Sequence, residues 1–322
     1  MPRARSQPAA AASAAAAYAA LPTEAAHPRA ARLDAAPAEA VVKLLLSEEQ
    51  AAAKAARARA GVIARAARLV ADRLAAGGRL IYAGAGTSGR LGTLDAAECV
   101  PTFGVPPSLV VPIIAGGPHA LTRSVEGAED SAREAEQRLR RVAVGPADVV
   151  CCIAASGVTP FARAALDYAR FRRAATIFVT CNASSSNGFS AAALADVVIA
   201  LHTGPEVIAG STRLKAGTAT KLTLNAISTT AFVLLGKTYG GLMVDVRPTN
   251  AKLWARAVRI VERLTGLPED AARKLIEKAG NRAKVALVMH HAGVSAADAR
   301  DLLRKHKGSL RAIVGDLPEL PS

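Results

Sequence analysis

The hexapeptide Gly84-Ala85-Gly86-Thr87-Ser88-Gly89 carries the clearest chemistry in the sequence. It joins a short apolar run, Arg79–Ala83, to a helical one from about Arg90 to Cys99. Its spacing matches G-x-G-x-x-G, a pattern that is weak on its own. A dinucleotide site also needs a carboxylate about twenty residues on, at the end of the second strand, to hold the ribose. That strand ends Ile114-Ala115-Gly116-Gly117, without one. Thr87 and Ser88 instead offer hydroxyls beside the N–H groups of a helix start, which suits a terminal phosphate. The plain alternative is a strand–helix turn that merely needs glycine.

Ala155-Ser156-Gly157-Val158-Thr159-Pro160 repeats this chemistry after a later strand: glycine for close approach, hydroxyls, then a helix start. Its alternative is a hydroxyl turn capping a helix, strongest for Thr159. Asn182–Asn187, with three serines in a row, is a candidate further wall. Gly210-Ser211-Thr212-Arg213-Leu214-Lys215 sets hydroxyls and cations before a long helix, where they could meet an anion or simply cap the helix. Two groups of carboxylates stand out. Asp95 and Glu98 are three apart and share a helix face. Glu126, Glu129 and Asp130 follow the second strand near a helix start, where acids commonly serve the helix dipole.

These loops need strands and helices to hold them. Short apolar runs at Arg79–Ala83, Leu109–Ala115, Asp148–Ala154, Ala175–Thr180 and Val197–Leu201 alternate with helical stretches. That rhythm predicts right-handed βαβ units and an α/β three-layer sandwich around a five-stranded parallel sheet. Ligands in such sheets bind beyond the carboxyl ends of the strands, where the Gly84 and Ala155 loops fall. Helical periodicity covers Pro37 to Ala76, ending at Gly77-Gly78, and a helix is expected at about Gly127–Val142. Leu214–Tyr239 reads as one long helix, followed by another over 248–265 and a small three-helix unit from about Leu267 to Ile313. The expected divisions are an Ala-rich disordered extension over 1–22, a sugar-phosphate domain with N-terminal helices over 23–265, and a three-helix, UBA-like domain over 266–322.

Composition narrows the classes. Of 322 residues, 51% are hydrophobic but only 3% aromatic, so Ala, Val, Leu and Ile must build the core. The net charge of +15 invites a nucleic-acid reading. No dense basic run with interleaved aromatics supports it, and a positive field equally favours an anionic small molecule. The four cysteines form no Cys-x-x-Cys pair and have no zinc spacing, which fits a reducing compartment and predicts no metal. The alanine-dominated N-terminus is too weakly apolar for a secretory core or a membrane span. A cytoplasmic protein without membrane or nucleic-acid partners is expected.

Taken together the blocks resemble the N-acetylmuramic acid 6-phosphate etherases. They are Gly84-Ala-Gly-Thr-Ser-Gly-Arg-Leu-Gly, Leu94-Asp-Ala-Ala-Glu-Cys, Pro101-Thr-Phe-Gly, Val125-Glu-Gly-Ala-Glu-Asp, Ala155-Ser-Gly-Val-Thr-Pro, Gly210-Ser-Thr-Arg-Leu-Lys-Ala-Gly-Thr and Leu242-Met-Val-Asp. The resemblance implies a sugar-isomerase (SIS) domain, usually dimeric, followed by a small helical domain. It implies release of D-lactate from a phosphorylated amino sugar, without metal or organic cofactor. It places the two active-site glutamates on Glu98, as acid, and Glu129, as base. Gly86, Thr87, Ser88, Gly89, Ser156, Gly157 and Thr159 would then line the sugar-phosphate pocket, with Ser211 and Lys215 beside them. The family usually has Asn before an early proline, where this chain has His27-Pro28, so substrate detail could differ there. A related class, the glucokinase regulatory proteins, binds sugar phosphates without turning them over. It has two sugar-isomerase units where this chain has one.

Overall fold

Each of the five apolar runs forms a strand, because its side chains can be buried on both faces of a sheet. The computed structural model describes residues 21–182 and 195–316. The Ala-rich residues 1–20 and the serine run of the Asn182–Asn187 loop lie outside them. The strands are β1 (Leu80–Gly84), β2 (Val110–Ile114), β3 (Val149–Ile153), β4 (Ala175–Thr180) and β5 (Val197–Ala200). All pair in parallel, in the order β2-β1-β3-β4-β5. The sheet lies in the larger of two compact units, made of the residues up to Asp95 together with Val110–Ile227.

Eleven α-helices are present among the described residues. They are α1 (Ala38–Arg57), α2 (Ala60–Ala75), α3 (Gly86–Phe103), α4 (Ala132–Arg141), α5 (Pro160–Phe171), α6 (Lys215–Leu234), α7 (Ala251–Thr265), α8 (Glu269–Lys278), α9 (Ala283–Ala292), α10 (Ala296–Lys305) and α11 (Arg311–Val314). On one sheet face, Ile81, Ala83, Val150, Cys152 and Phe178 pack with Leu139 of α4 and Phe161 and Leu166 of α5. The alternate residues Leu80, Tyr82, Val149, Cys151 and Ile177 are buried on the other face, where α2 packs near β3 and β5. Alanines dominate the helix sides of these contacts, as the low aromatic content requires. No helix among the described residues is long and apolar enough to cross a membrane.

The helical stretch from Pro37 to Ala76 is two helices rather than one. The break falls at Ala58-Arg59, where the Arg59 guanidinium donates to the carbonyl of Ala200 at 2.8 Å. The long helix ends at Leu234, not Tyr239, because Gly236 turns left-handed with φ 68°. The helix expected from Gly127 starts at Ala132, capped by the Ser131 hydroxyl on the Glu134 N–H. A single 3-10 turn, Ala128–Asp130, precedes it.

One carboxylate organises the lower edge of the sheet. Asp148, just before β3, accepts the Arg79 backbone N–H (3.0 Å), two guanidinium N–H groups (3.0 and 2.7 Å) and the Gly145 N–H (3.0 Å). Burial alone would raise its pKa, but the Arg79 bonds and the Gly145 N–H outweigh that and hold it below the usual carboxylate range. Strands β1 and β3 are thereby joined at the end opposite the Gly84 and Ala155 loops.

The smaller unit comprises Ala96–Leu109 and Ser228–Ser322. Its core runs from Tyr239 through Val258, Ile260 and Ile276 to Leu310, with Trp254 of α7 packed against it. Lys284 is buried there, with its ammonium on the Gly236 carbonyl (2.6 Å) and Asp245 (2.9 Å). Desolvation lowers its pKa, opposed by Asp245.

Candidate functional site

The register pairs Gly84 with Ile153, so the loops after β1 and β3 leave neighbouring strands at the same level. The chain turns from β1 to β2 on one side and finds β3 on the other. This is the point of an open α/β sheet where ligands sit.

The first loop is shorter than its sequence suggests, because α3 begins at Gly86. Gly86, Thr87, Ser88 and Gly89 therefore form the first helical turn, whose leading N–H groups lack partners within the helix, whereas the Gly89 N–H donates to the Ala85 carbonyl at 3.2 Å. Thr87 and Ser88 are half-buried, and Gly89 is buried. A Cβ on Gly89 would lie 2.6 Å from the Gly84 carbonyl oxygen and 2.6 Å from Ile114 Cγ1, so only glycine lets the helix start this close to the sheet.

In the second loop the Ser156 and Thr159 hydroxyls are 3.2 Å apart, and Ser156 accepts the Val158 N–H at 3.3 Å. Thr159 precedes α5 but makes no side-chain capping bond. Gly157 has φ 78°, and a Cβ there would stand 3.0 Å from Thr180 Oγ1.

The block before α6 comes to the same place. A Cβ on Gly217 would stand 3.6 Å from the Thr87 methyl group. Ser211 is half-buried in a tight turn, its N–H on the Ile208 carbonyl at 2.9 Å. Lys215 is buried, and its ammonium lies 2.6 Å from Glu48 rather than open to solvent. Glu48 also meets His27 Nε2 at 3.2 Å and Arg29 at 3.6 Å. Although burial opposes it, bonding to Lys215 and His27 holds the Glu48 carboxyl below its ordinary value. The first N–H groups of α6 are taken by a carboxylate as well. Buried Glu206 accepts from Lys215 N (3.1 Å) and Ala216 N (2.8 Å), while burial pushes its pKa up.

The glutamates lie apart from these loops in sequence. Glu98 is exposed on α3, about three turns beyond Thr87. Glu129 is exposed in the 3-10 turn after β2. Asp95, one turn before Glu98, is buried: the Tyr82 hydroxyl and the Asn225 amide each donate to it at 2.7 Å. It is an anchor for α3, a role its spacing to Glu98 did not reveal. Among the described residues, no group of three or more His, Cys, Asp and Glu could hold a metal ion.

Sequence reasoning missed Thr23 and Glu48, whose partners Asn182 and Lys215 are remote in the chain. His27 has a readable signal in retrospect. Its Nδ1 accepts the Arg29 N–H at 3.2 Å, the bond an Asn in that position makes in an Asx-turn.

A parallel sheet with hydroxyl-rich loops at its switch point, together with a helical unit, defines a sugar-isomerase-type protein. Residues 62–170 match the glucokinase regulatory protein N-terminal SIS domain, and 240–285 match that protein's C-terminal lid domain. Curated relatives that match most of the chain carry a different name. An N-acetylmuramic acid 6-phosphate etherase of Nostoc punctiforme is 49% identical over 91% of this chain and 94% of its own. Etherases of Rhodopirellula baltica (45% identical, 91% of this chain and 96% of its own) and Trichormus variabilis (53%, 72% and 75%) agree. The chain belongs to the N-acetylmuramic acid 6-phosphate etherase family, a family of enzymes.

Proposed function

We propose that this chain cleaves the lactyl ether of N-acetylmuramate 6-phosphate, releasing D-lactate and N-acetylglucosamine 6-phosphate. The observation that carries the reading is 49% identity to an etherase over 91% of the chain. The reaction is a carbon–oxygen lyase step. Opening of the sugar ring exposes an aldehyde at C1, which acidifies the C2 proton. Glu129 removes that proton as base, and the electron pair forms the C2–C3 double bond. Glu98 protonates the ether oxygen on C3 as the C–O bond breaks, and D-lactate leaves. Water then adds across the double bond.

In this reading Gly86, Thr87 and Ser88 hold the phosphate with helix-start N–H groups and hydroxyls, and Gly89 lets that turn lie against the sheet. Ser156, Gly157, Thr159 and Ser211 line the sugar. Lys215, committed to Glu48, braces the wall of the pocket. Both glutamates are exposed in the free chain. A cytoplasmic homodimer acting in recycling of peptidoglycan amino sugars completes the proposal.

The test is a D-lactate assay on the purified protein with N-acetylmuramate 6-phosphate. Glu98→Gln should abolish release while leaving product binding largely intact. Undiminished release by that variant refutes the role of Glu98, and none by the wild type refutes the reading. Capture of a kinase by a protein with no lyase activity would favour a regulatory sugar-phosphate binder, the function suggested by the matched domain descriptions.

A further inference from the structure

We propose that Thr23 and Asn182 are positioning residues that set the spacing of the two substrate loops, Ala155–Thr159 and Gly210–Lys215. The inference rests on the function proposed above. Both side chains are buried, with Thr23 at 0% and Asn182 at 6% exposure. The Asn182 amide nitrogen donates to the Ala155 carbonyl at 3.0 Å and to Thr23 Oγ1 at 3.2 Å. Its orientation is thereby determined, because turning the amide would set Asn182 Oδ1 against the Ala155 carbonyl oxygen. Thr23 completes the link through its backbone, its carbonyl accepting the Gly210 N–H at 2.9 Å.

A continuous path results, from Ser156 through Ala155, Asn182, Thr23 and Gly210 to Ser211. Both ends are hydroxyl residues of the proposed pocket. Gly210 itself has φ 75°, a left-handed backbone that favours glycine. Asn182 also steadies the second loop from below. Its N–H donates to Thr180 Oγ1 at 3.2 Å, and that hydroxyl donates to the Ala155 carbonyl at 3.4 Å. The hydroxyls of these loops bind the sugar, whereas the reacting protons belong to Glu98 and Glu129. Loosening the path should therefore cost ground-state binding more than turnover.

The experiment measures kcat and KM for D-lactate release by full-length wild type, Thr23→Val, Thr23→Ser and Asn182→Asp, with circular dichroism to check folding. Thr23→Val keeps the shape but removes the hydroxyl. It should raise KM about tenfold with kcat within about threefold, and Thr23→Ser should restore KM. Asn182→Asp replaces a donor by an acceptor facing the Ala155 carbonyl and should raise KM at least as much. If Thr23→Val fails to fold, Asn182→Asp decides alone. KM within about twofold of wild type in the folded variants overturns the inference. Should the wild type release no D-lactate, the reaction fails but the positioning role is still decided by calorimetry with N-acetylglucosamine 6-phosphate, whose sugar these two loops would hold. Weaker binding by Thr23→Val than by wild type upholds that role, and equal binding overturns it.

Discussion

Asp148→Asn should unseat β1 from β3 while changing almost nothing in shape. Asp148 receives four N–H groups, two on each oxygen. An asparagine keeps one acceptor oxygen and turns the other into an NH2 group facing donors, so two bonds to a charged group are lost. At about 1.5 kcal/mol each this is about 3 kcal/mol. The Arg79 side chain is 30% exposed, which screens part of the charge and reduces the loss to about 2 kcal/mol. For a domain of this size that corresponds to a fall in Tm of about 4–8 °C. The pH dependence follows from the lowered pKa of Asp148. A carboxyl held below its unfolded value contributes fully above about pH 4, and the contribution fades as pH falls through the folded value. Calorimetric melts of wild type and variant should therefore differ at pH 7 and converge toward pH 2.5. A variant melting within about 1 °C of wild type at pH 7, or a difference that persists at low pH, would refute the clamp.

Gly89→Ala should cost more than about a hundredfold in D-lactate release, because the added methyl meets backbone and Ile114 at 2.6 Å. Gly61→Ala, in a helix with nothing within 4 Å of the new carbon, is the matched control and should stabilise by about 0.5 kcal/mol. All four cysteines are buried, and burial raises the Cys181 thiol to about 11 and those of Cys151 and Cys152 further. A thiol reagent at pH 8 should therefore label less than about one thiol per native chain within minutes and all of them in denaturant. Rapid labelling of two or more would contradict that burial.

The strands were legible because each is an apolar run bounded by glycine or a charged turn, a signal carried within a few residues. Their bounds shift by a residue or so, as Arg79–Ala83 against Leu80–Gly84 shows. The break between α1 and α2 was not legible. No proline or glycine marks Ala58-Arg59, and the contact beside it reaches the remote Ala200 carbonyl. The same limit applies at the site. Thr87, Ser88, Ser156 and Ser211 could be chosen from type and local spacing. Lys215 could be chosen too, but not its bond to Glu48, since 167 residues separate the two. Thr23 and Asn182, 159 apart, share no pattern that a linear reading detects.

The scarcity of aromatic side chains has an optical consequence. Trp254 is the only tryptophan in the chain and packs against the helical core. Tryptophan emission therefore reports on the smaller unit, while the α/β sheet carries no such chromophore. Far-UV dichroism reads both. If the two cores melt at different temperatures, the emission transition will follow the helical one alone, and the gap between the two probes will measure how independently the helical unit is held together.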